Sequence, residues 1–316
     1  MRYLTFIAFL AMAQAPLLSN AQSDTSKSDL MNMISQSDNT GKHEPVGATF
    51  ETTRVINGQS IEMTGKGVLD FKISHRFGSI RGGIGQFFGL DGAVTQLGFD
   101  YGITKWLTVG ISRSTYDKEY EGYVKGRLLT QTEDNHIPIS LDYVGAISCT
   151  SNTAPDLGPG VDYAFSNRLC YVNQLLIARR FNNRFSLQLM PTIVHYNIVD
   201  LDVQPNNVIA IGAGGRMKLS NRFSLNVEYY FQIPGTDLST TANKTYNSLS
   251  VGIDIQTGGH VFQLFFTNSA AITERAFIGQ TTDQWSKGQL HFGFNISRIF
   301  QIVHPKEFKG SRNNIY

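Results

Sequence analysis

The sequence predicts an all-β fold, a transmembrane antiparallel β-barrel of about twelve strands with short periplasmic turns and long extracellular loops. Three observations predict it. The chain begins with an export signal, polar and apolar residues alternate from Lys66 to about residue 300, and the joints between the alternating segments are short and long in turn. A barrel strand faces lipid with every second residue only, so the mean hydropathy of −0.15 is compatible with a membrane protein.

The first 21 residues have the features of a signal peptide. Arg2 supplies the positive start, residues 4–13 form a short apolar core, and Ser19-Asn20-Ala21 places small residues before a cleavage point after Ala21. An N-terminal membrane anchor is the alternative, but the apolar run is short and Pro16 interrupts it. The mature chain is therefore expected to leave the cytoplasm for the cell outer membrane.

Residues 22–64 are expected to form a flexible periplasmic leader, since they are rich in Ser, Asp, Asn and Lys as far as residue 45. A weak strand pattern over residues 47–64 leaves three interpretations open: a plug, a lip or an extra hairpin arm. The barrel is predicted over residues 65–300, and residues 301–316 read as a polar C-terminal tail.

Alternation is clearest after Ser220-Asn221, where Phe223, Leu225 and Val227 share one face of a strand and Ser224 shares the other with Asn226. An earlier copy of the same phrase begins at Asn182-Asn183. Segments of this kind are predicted at about 67–77, 93–102, 106–114, 120–131, 136–148, 169–181, 184–197, 207–219, 223–233, 246–256, 259–268 and 288–299.

The joints separate a membrane barrel from a secreted β-sandwich or a β-solenoid. Those after the even-numbered strands are short: Thr104-Lys105, Glu133-Asp134-Asn135, Asn182-Asn183, Ser220-Asn221 and Thr257-Gly258. Those after the odd-numbered strands are longer. A soluble sandwich has no reason to sort its joints in this way, whereas an outer-membrane barrel has short periplasmic turns and long outer loops.

Strand parity assigns the charged residues to the barrel interior, because a charge that faces lipid at mid-depth costs roughly 2–4 kcal/mol. The candidates are Asp70, Lys72, Arg76, Asp100, Glu121, Lys125, Arg127, Asp142, Arg216, Lys218, Glu228 and Asp254. Such a mixed-charge lumen could pass small solutes as a porin does. The alternative is a closed barrel, filled by paired charges, that acts through its loops at the surface.

Aromatic residues next to the short turns predict an interfacial girdle, formed by Trp106, Phe181, Phe185 and Phe223. Cys149 and Cys170 flank one long loop, and a disulfide between them is expected because an exported chain can keep one; two free thiols are the alternative.

Other chemistry has little support. A net charge of +2 points to no nucleic-acid partner. The seven histidines show no metal-ligand spacing, and no cofactor motif is present, since Gly82-Gly83-Ile84-Gly85 precedes no helix. An outer-membrane hydrolase would need a Ser-His-Asp or Ser-His-Asn group. His75 stands beside Ser74 without one, so the chain is not expected to be an enzyme.

Several phrases resemble an uncharacterised family of β-barrel proteins from Gram-negative outer membranes, a domain of unknown function. They are Ser74–Gly78, Phe87–Gly92, Gly98–Thr104, Val109–Ser114, His260–Ser269 and Gly293–Arg298, in that order. The resemblance covers about residues 65–300 and implies a fold and a membrane, but no activity. The expected partners are outer-membrane lipids, the barrel-assembly machinery during insertion, and small solutes; the oligomeric state is left open.

Overall fold

A computed structural model describes residues 43–153, 163–199 and 203–303. The predicted signal peptide, the first part of the leader and the tail from residue 304 lie outside these residues. Twelve strands follow one another along the described chain: β1 (Val68–Ser79), β2 (Ala93–Thr104), β3 (Leu107–Ser114), β4 (Glu119–Leu129), β5 (Ser140–Thr150), β6 (Leu169–Arg180), β7 (Phe185–Tyr196), β8 (Asn207–Lys218), β9 (Phe223–Gln232), β10 (Ser248–Thr257), β11 (His260–Thr267) and β12 (His291–Gln301).

The strands form one closed antiparallel barrel, as the alternation predicts. Each strand pairs with its neighbours in sequence, and β12 returns to pair with β1, with Ser74 opposite Asn295. Closure matters because it leaves no sheet edge with unsatisfied backbone groups. No helix among the described residues is long and apolar enough to cross a membrane.

The joints fall into two sets at opposite ends of the barrel. The short-turn end carries residues 105–106, 130–139, 181–184, 219–222 and 258–259. The long-loop end carries residues 80–92, 115–118, 151–153, 163–168, 197–199, 203–206, 233–247 and 268–290. Two joints differ from the expected lengths. The joint of residues 115–118 is as short as a turn at the other end. The joint of residues 130–139 is longer than expected, because β4 ends early and the chain after it pairs with the leader. Gln131 O accepts from Val46 N, and Glu133 N donates to Glu44 O.

Residues 48–64, here called the plug hairpin, lie inside the barrel. The chain reverses between Arg54 and Gln59, which form a β-bridge, and Val55 N donates to Gly58 O at 2.9 Å. Phe50, Val55 and Ile61 are buried. The flexible leader expected for residues 22–64 does not describe residues 48–64, which are packed inside the barrel where a plug would lie. The segment enters from the short-turn end, where it continues into β1.

The long loop 268–290 enters the lumen from the opposite end. It carries the helix α1 (Glu274–Gly279), and every residue of α1 is buried. The Tyr196 hydroxyl donates to Arg275 O at 2.6 Å, and Gln232 Nε2 donates to Ile278 O at 2.5 Å, which fixes the helix to β7 and β9. The plug hairpin and the loop of residues 268–290 thus occupy the barrel lumen from its two ends.

The apolar core of the described chain lies in the lumen, between these segments and one side of the wall. Met190, Leu176 and Tyr230 pack there with Phe50 of the plug hairpin and Phe277 of α1. The outer surface is apolar as well, with large exposed side chains such as Ile111, Leu189 and Phe231 along the strands. This second apolar face suits a barrel in contact with hydrocarbon.

Candidate functional site: the plugged lumen

The charged residues assigned to the interior by parity do face the lumen. Ten are buried there: Asp70, Lys72, Arg76, Asp100, Glu121, Lys125, Asp142, Arg216, Glu228 and Asp254. Arg127 and Lys218 are half-buried, since both lie toward the short-turn end.

Some wall charges pair with each other across neighbouring strands. Lys72 of β1 forms an ion pair with Asp100 of β2, and Arg127 Nε of β4 lies 2.5 Å from Asp142 Oδ1 of β5. Asp70 accepts a hydrogen bond of 2.6 Å from the Ser297 hydroxyl. These pairs reduce the cost of burying charge in a lumen that the plug hairpin shields from water.

Other wall cations hold the plug hairpin by its main chain. Lys125 Nζ donates to Ser60 O at 2.5 Å and to Glu62 O at 2.6 Å. Arg127 donates to Ile61 O, in addition to its pair with Asp142. Cations that would line an open pore are therefore used here to satisfy carbonyl groups that the hairpin's own turn leaves free.

Arg216 of β8 holds the other arm of the hairpin. Its Nη1 donates to Thr49 O at 3.1 Å, and its Nη2 forms an ion pair with Glu51. The two arms of the plug hairpin are thus fixed to the wall on two sides.

Glu228 of β9 receives the tip of the plug hairpin. Its carboxylate accepts from the backbone N–H groups of Ile56 at 3.1 Å, Asn57 at 3.1 Å and Gly58 at 2.9 Å. Consecutive N–H groups that converge in this way form an anion-binding nest.

Wall amides complete the contacts of the hairpin with carbonyl groups. Gln188 donates to Gln59 O at 2.7 Å, Gln263 to Val55 O at 3.0 Å, and Asn295 to Ile56 O at 2.8 Å. The amides come from β7, β11 and β12, so the contacts surround the hairpin.

Arg54 connects the two segments that occupy the lumen. Its Nη1 lies 2.5 Å from Glu274 Oε1 of α1, and its Nη2 lies 3.7 Å from Glu121 Oε1 of β4. Both oxygens of Glu121 lack a hydrogen-bond partner among the described residues. One guanidinium group therefore faces two buried carboxylates.

Within the described part of the chain, open space remains beside the plug hairpin at two places. A cavity of about 760 Å³ lies at the short-turn end between the hairpin and the wall, and Phe50, Glu62, Asp70 and His260 are among its lining residues. A smaller void of about 20 Å³ lies farther in, next to Lys72 and Asp100. The hairpin consequently does not fill the whole cross-section at the short-turn end.

The base of the leader is anchored outside the strands. His43 Nδ1 lies 2.5 Å from Asp134 Oδ2 in the joint between β4 and β5. Hydrogen bonds from Thr132 and then from His43 hold the pKa of Asp134 below its usual range.

The expected disulfide is absent, because Cys149 and Cys170 are both free. In the pairing of β5 with β6, Cys149 lies opposite Leu169 while Cys170 lies opposite Ser148. Successive residues of a strand point to opposite faces, so the Cys170 thiol faces the interior with Ser148 and the Cys149 thiol faces outward. Proximity in the fold was judged correctly, but the side chains diverge.

The residues of the proposed girdle, Trp106, Phe181, Phe185 and Phe223, are all exposed and lie at or next to the short turns. His75 also faces outward. Its ring stacks on Phe294 with centroids 5.2 Å apart and its Nδ1 lies 2.9 Å from Thr95 Oγ1, so its neighbours are those of an outer-surface histidine. Among the described residues, no cluster of three or more His, Cys, Asp or Glu side chains could hold a metal ion.

Sequence reasoning missed α1 and the hairpin residues that bind the wall. The run Ala270-Ala271-Ile272 and then Phe277-Ile278 is unusually apolar for an outer loop, and this signal could have placed the loop inside the barrel. Arg54 and Glu51 carry no such signal, because isolated charges in a polar leader are ordinary.

Comparison with known proteins agrees with this architecture. The family model described as "Membrane bound beta barrel domain (DUF5777)" matches residues 50–300. The match begins inside the plug hairpin, so the family's domain includes this segment as well as the strands. No curated protein matches the chain.

Solved structures with similar folds are distant in sequence. The NanC porin is 9% identical, with a TM-score of 0.46 over 73% of this chain and 98% of that one. An outer membrane channel from Pseudomonas putida F1 is 13% identical, with a TM-score of 0.44 over 76% and 97%. Outer membrane phospholipase A from Escherichia coli is 10% identical, with a TM-score of 0.42 over 85% and 96%. These identities are too low for any residue's role to be carried over.

Proposed function

We propose that this chain, which belongs to the family of membrane-bound β-barrel domains (DUF5777), is an outer-membrane channel for small solutes. The plug hairpin closes the lumen of this channel. The observation that carries the proposal is the way the hairpin is held. Its main chain is bound by wall side chains such as Lys125 and Glu228, and the hairpin does not pair with the strands as part of the sheet. It can therefore leave without opening the barrel.

Loop lengths and the outer surface support the outer-membrane placement. The joints are short at one end except for residues 130–139 and longer at the other except for residues 115–118, and the outer wall is apolar. This arrangement is typical of outer-membrane barrels. In this orientation the short-turn end is periplasmic. We expect outer-membrane lipids to cover the outer wall, with Trp106 and Phe223 near one interface, and the barrel-assembly machinery to insert the chain.

A filled barrel that acts through its loops is the second candidate, and the packing of the lumen favours it. Phe50, Val55 and Ile61 are at most 1% exposed, and Glu274 of α1 meets Arg54 from the other side. A permanent plug of this kind would make the interior a structural core. The two candidates differ in one measurable property, the passage of ions once the hairpin is removed.

Single-channel recording in planar bilayers tests the proposal. The wild-type chain is compared with a variant that lacks residues 43–64, after heat-modifiable migration on a gel has shown that both are folded. We expect rare, brief openings for the wild type and a steady conductance for the variant. The loop that carries α1 still occupies the lumen in this variant. A folded barrel that lacks both residues 43–64 and residues 271–280 and still never conducts would rule out the channel.

A second variant covers the case in which the deletion does not fold. Glu228→Ala keeps the whole chain and removes the acceptor for three N–H groups at the hairpin tip. We expect more frequent openings than in the wild type. Lys218→Ala is the matched control, since Lys218 makes no hydrogen bond with the hairpin in the described part of the chain, and it should open as the wild type does.

A further inference from the structure

We infer that the lumen wall recognises the main chain of a polypeptide, so that the solutes of this channel are oligopeptides and the plug hairpin occupies their site. The inference rests on the proposed channel function. The wall side chains bind mostly backbone groups of the hairpin.

Carbonyl groups of the hairpin are bound along both arms. Lys125, Gln188 and Arg216 donate to Ser60 O, Gln59 O and Thr49 O, from β4, β7 and β8. Gln263 and Asn295 add Val55 O and Ile56 O from β11 and β12. A backbone carbonyl is the same group in every residue, so these donors would bind another sequence equally well.

The acceptor side of the site distinguishes a peptide from other solutes. Glu228 is buried and its carboxylate is satisfied by three backbone N–H groups. An anionic solute without N–H donors would leave the Glu228 carboxylate unpaired, and the two negative charges would repel each other. An unpaired buried charge is strongly unfavourable, so such a solute would bind poorly. A peptide offers carbonyl groups to the wall cations and N–H groups to Glu228 together.

Fewer contacts depend on the hairpin's own side chains. Asn57 is bound on both sides, by Arg76 at 2.7 Å and by Ser250 at 2.7 Å, and Arg54 pairs with Glu274. Phe50, Val55 and Ile61 pack in an apolar cluster, which accepts apolar side chains of several shapes. The cavity of about 760 Å³ beside the hairpin gives an incoming chain a place to start displacing it.

The test uses the complete folded protein. A protease recognition sequence is inserted between Gly65 and Lys66, which are both exposed, and the chain is cut after folding. The hairpin is then held by its contacts alone. Synthetic peptides are added in excess, and mass spectrometry of the barrel fraction measures how much of the original hairpin has been displaced.

Four peptides decide the question. The native peptide of residues 43–65 and a peptide of unrelated sequence with the same apolar pattern should displace the hairpin at concentrations within about tenfold of each other. The native peptide N-methylated at Gly58 should need at least tenfold more, because it has lost an N–H that donates to Glu228. N-methylation at Ala48, whose N–H makes no hydrogen bond in the described part of the chain, is the control and should change little.

Each contrary result overturns the inference. If only the native sequence displaces the hairpin, the site recognises side chains and not the main chain. If N-methylation at Gly58 has no effect, the main chain is not read, and if no peptide displaces the hairpin, it is a permanent part of the fold.

Bilayer recording of the hairpin-less variant keeps the two proposals apart. If the variant conducts but micromolar unrelated peptide does not block it, the inference that the solutes are peptides is wrong. The proposed channel function would be unaffected by that result. A barrel that exchanges peptides and never conducts would overturn the channel itself, and with it the inference that peptides are what it passes.

Discussion

Arg54 of the plug hairpin and Glu274 of α1 form an ion pair inside the barrel, with Nη1 and Oε1 2.5 Å apart. One residue comes from the segment that enters at the short-turn end, the other from a loop that enters at the opposite end. The pair joins the plug hairpin to α1, so a substitution in the hairpin at Arg54 also removes a contact of α1.

Arg54→Ala should strongly destabilise the plugged barrel. Without the guanidinium group, Glu274 and Glu121 are left as neighbouring buried carboxylates, and removal of one partner from a buried pair costs about 3–5 kcal/mol. Urea unfolding measures the free energy, and limited proteolysis of residues 43–64 reports whether the hairpin is released. Arg54→Lys keeps the charge and should lose less; equal losses in the two variants would contradict an electrostatic role.

Glu121→Gln should stabilise the fold. Both oxygens of Glu121 lack a hydrogen-bond partner among the described residues, and a neutral amide removes one of two like charges beside Arg54. A gain of about 1 kcal/mol in the free energy of unfolding is expected. The matched variant Glu228→Gln should show the opposite sign, because that carboxylate accepts three N–H groups. A loss in Glu121→Gln would indicate a partner for this carboxylate in the native protein.

Gly58→Ala should weaken the docking of the hairpin. A Cβ atom there would lie 2.1 Å from the hydroxyl oxygen of Tyr230, which is fully buried and cannot move aside freely. Overpacking of this kind costs about 1–3 kcal/mol. Hydrogen exchange of residues 48–64 measures the effect. Gly126→Ala, at a position where a Cβ meets nothing within 4 Å, is the control.

The anchor of the leader should respond to acid. Hydrogen bonds from Thr132 and then His43 hold the pKa of Asp134 low. The contribution of Asp134 to the stability of the anchored leader is therefore complete above the ordinary carboxyl pKa of about 4, and it is lost as the pH falls below that value. Protease protection of residues 43–47 should be constant from pH 7 to pH 5 and fall in more acid solution. In Asp134→Asn the protection should be lower at pH 7 and should change less with pH; wild-type protection in that variant would refute the anchor.

The cysteines should behave as two independent thiols. Intact mass measured without a reductant should equal the mass of the fully reduced chain, since one thiol faces outward and the other faces the lumen. In the folded protein, N-ethylmaleimide should modify Cys149 faster than the buried Cys170, and both should react after denaturation. A mass lower by two hydrogens would show that the strands rearrange to form the bond.

The fold was predictable because it depends on local patterns. A strand of a membrane barrel faces lipid on one side, so alternation assigns nearly every residue to a face, and the positions of Lys125, Arg216 and Glu228 in the lumen follow from parity alone. The joint of residues 130–139 was misjudged because its length depends on pairing with residues 44–46, which are remote in sequence.

The alternating strands, the sorted joints and the inward charges were thus determined by the sequence itself, through the two-residue period that lipid imposes on every strand. Only the tertiary structure decided what those charges bind. The partners of Lys125 and Glu228 lie in residues 56–62, and Arg54 meets Glu274 across 220 positions of the chain. No local pattern encodes such contacts, because they exist only once the barrel has closed around the segments that fill it.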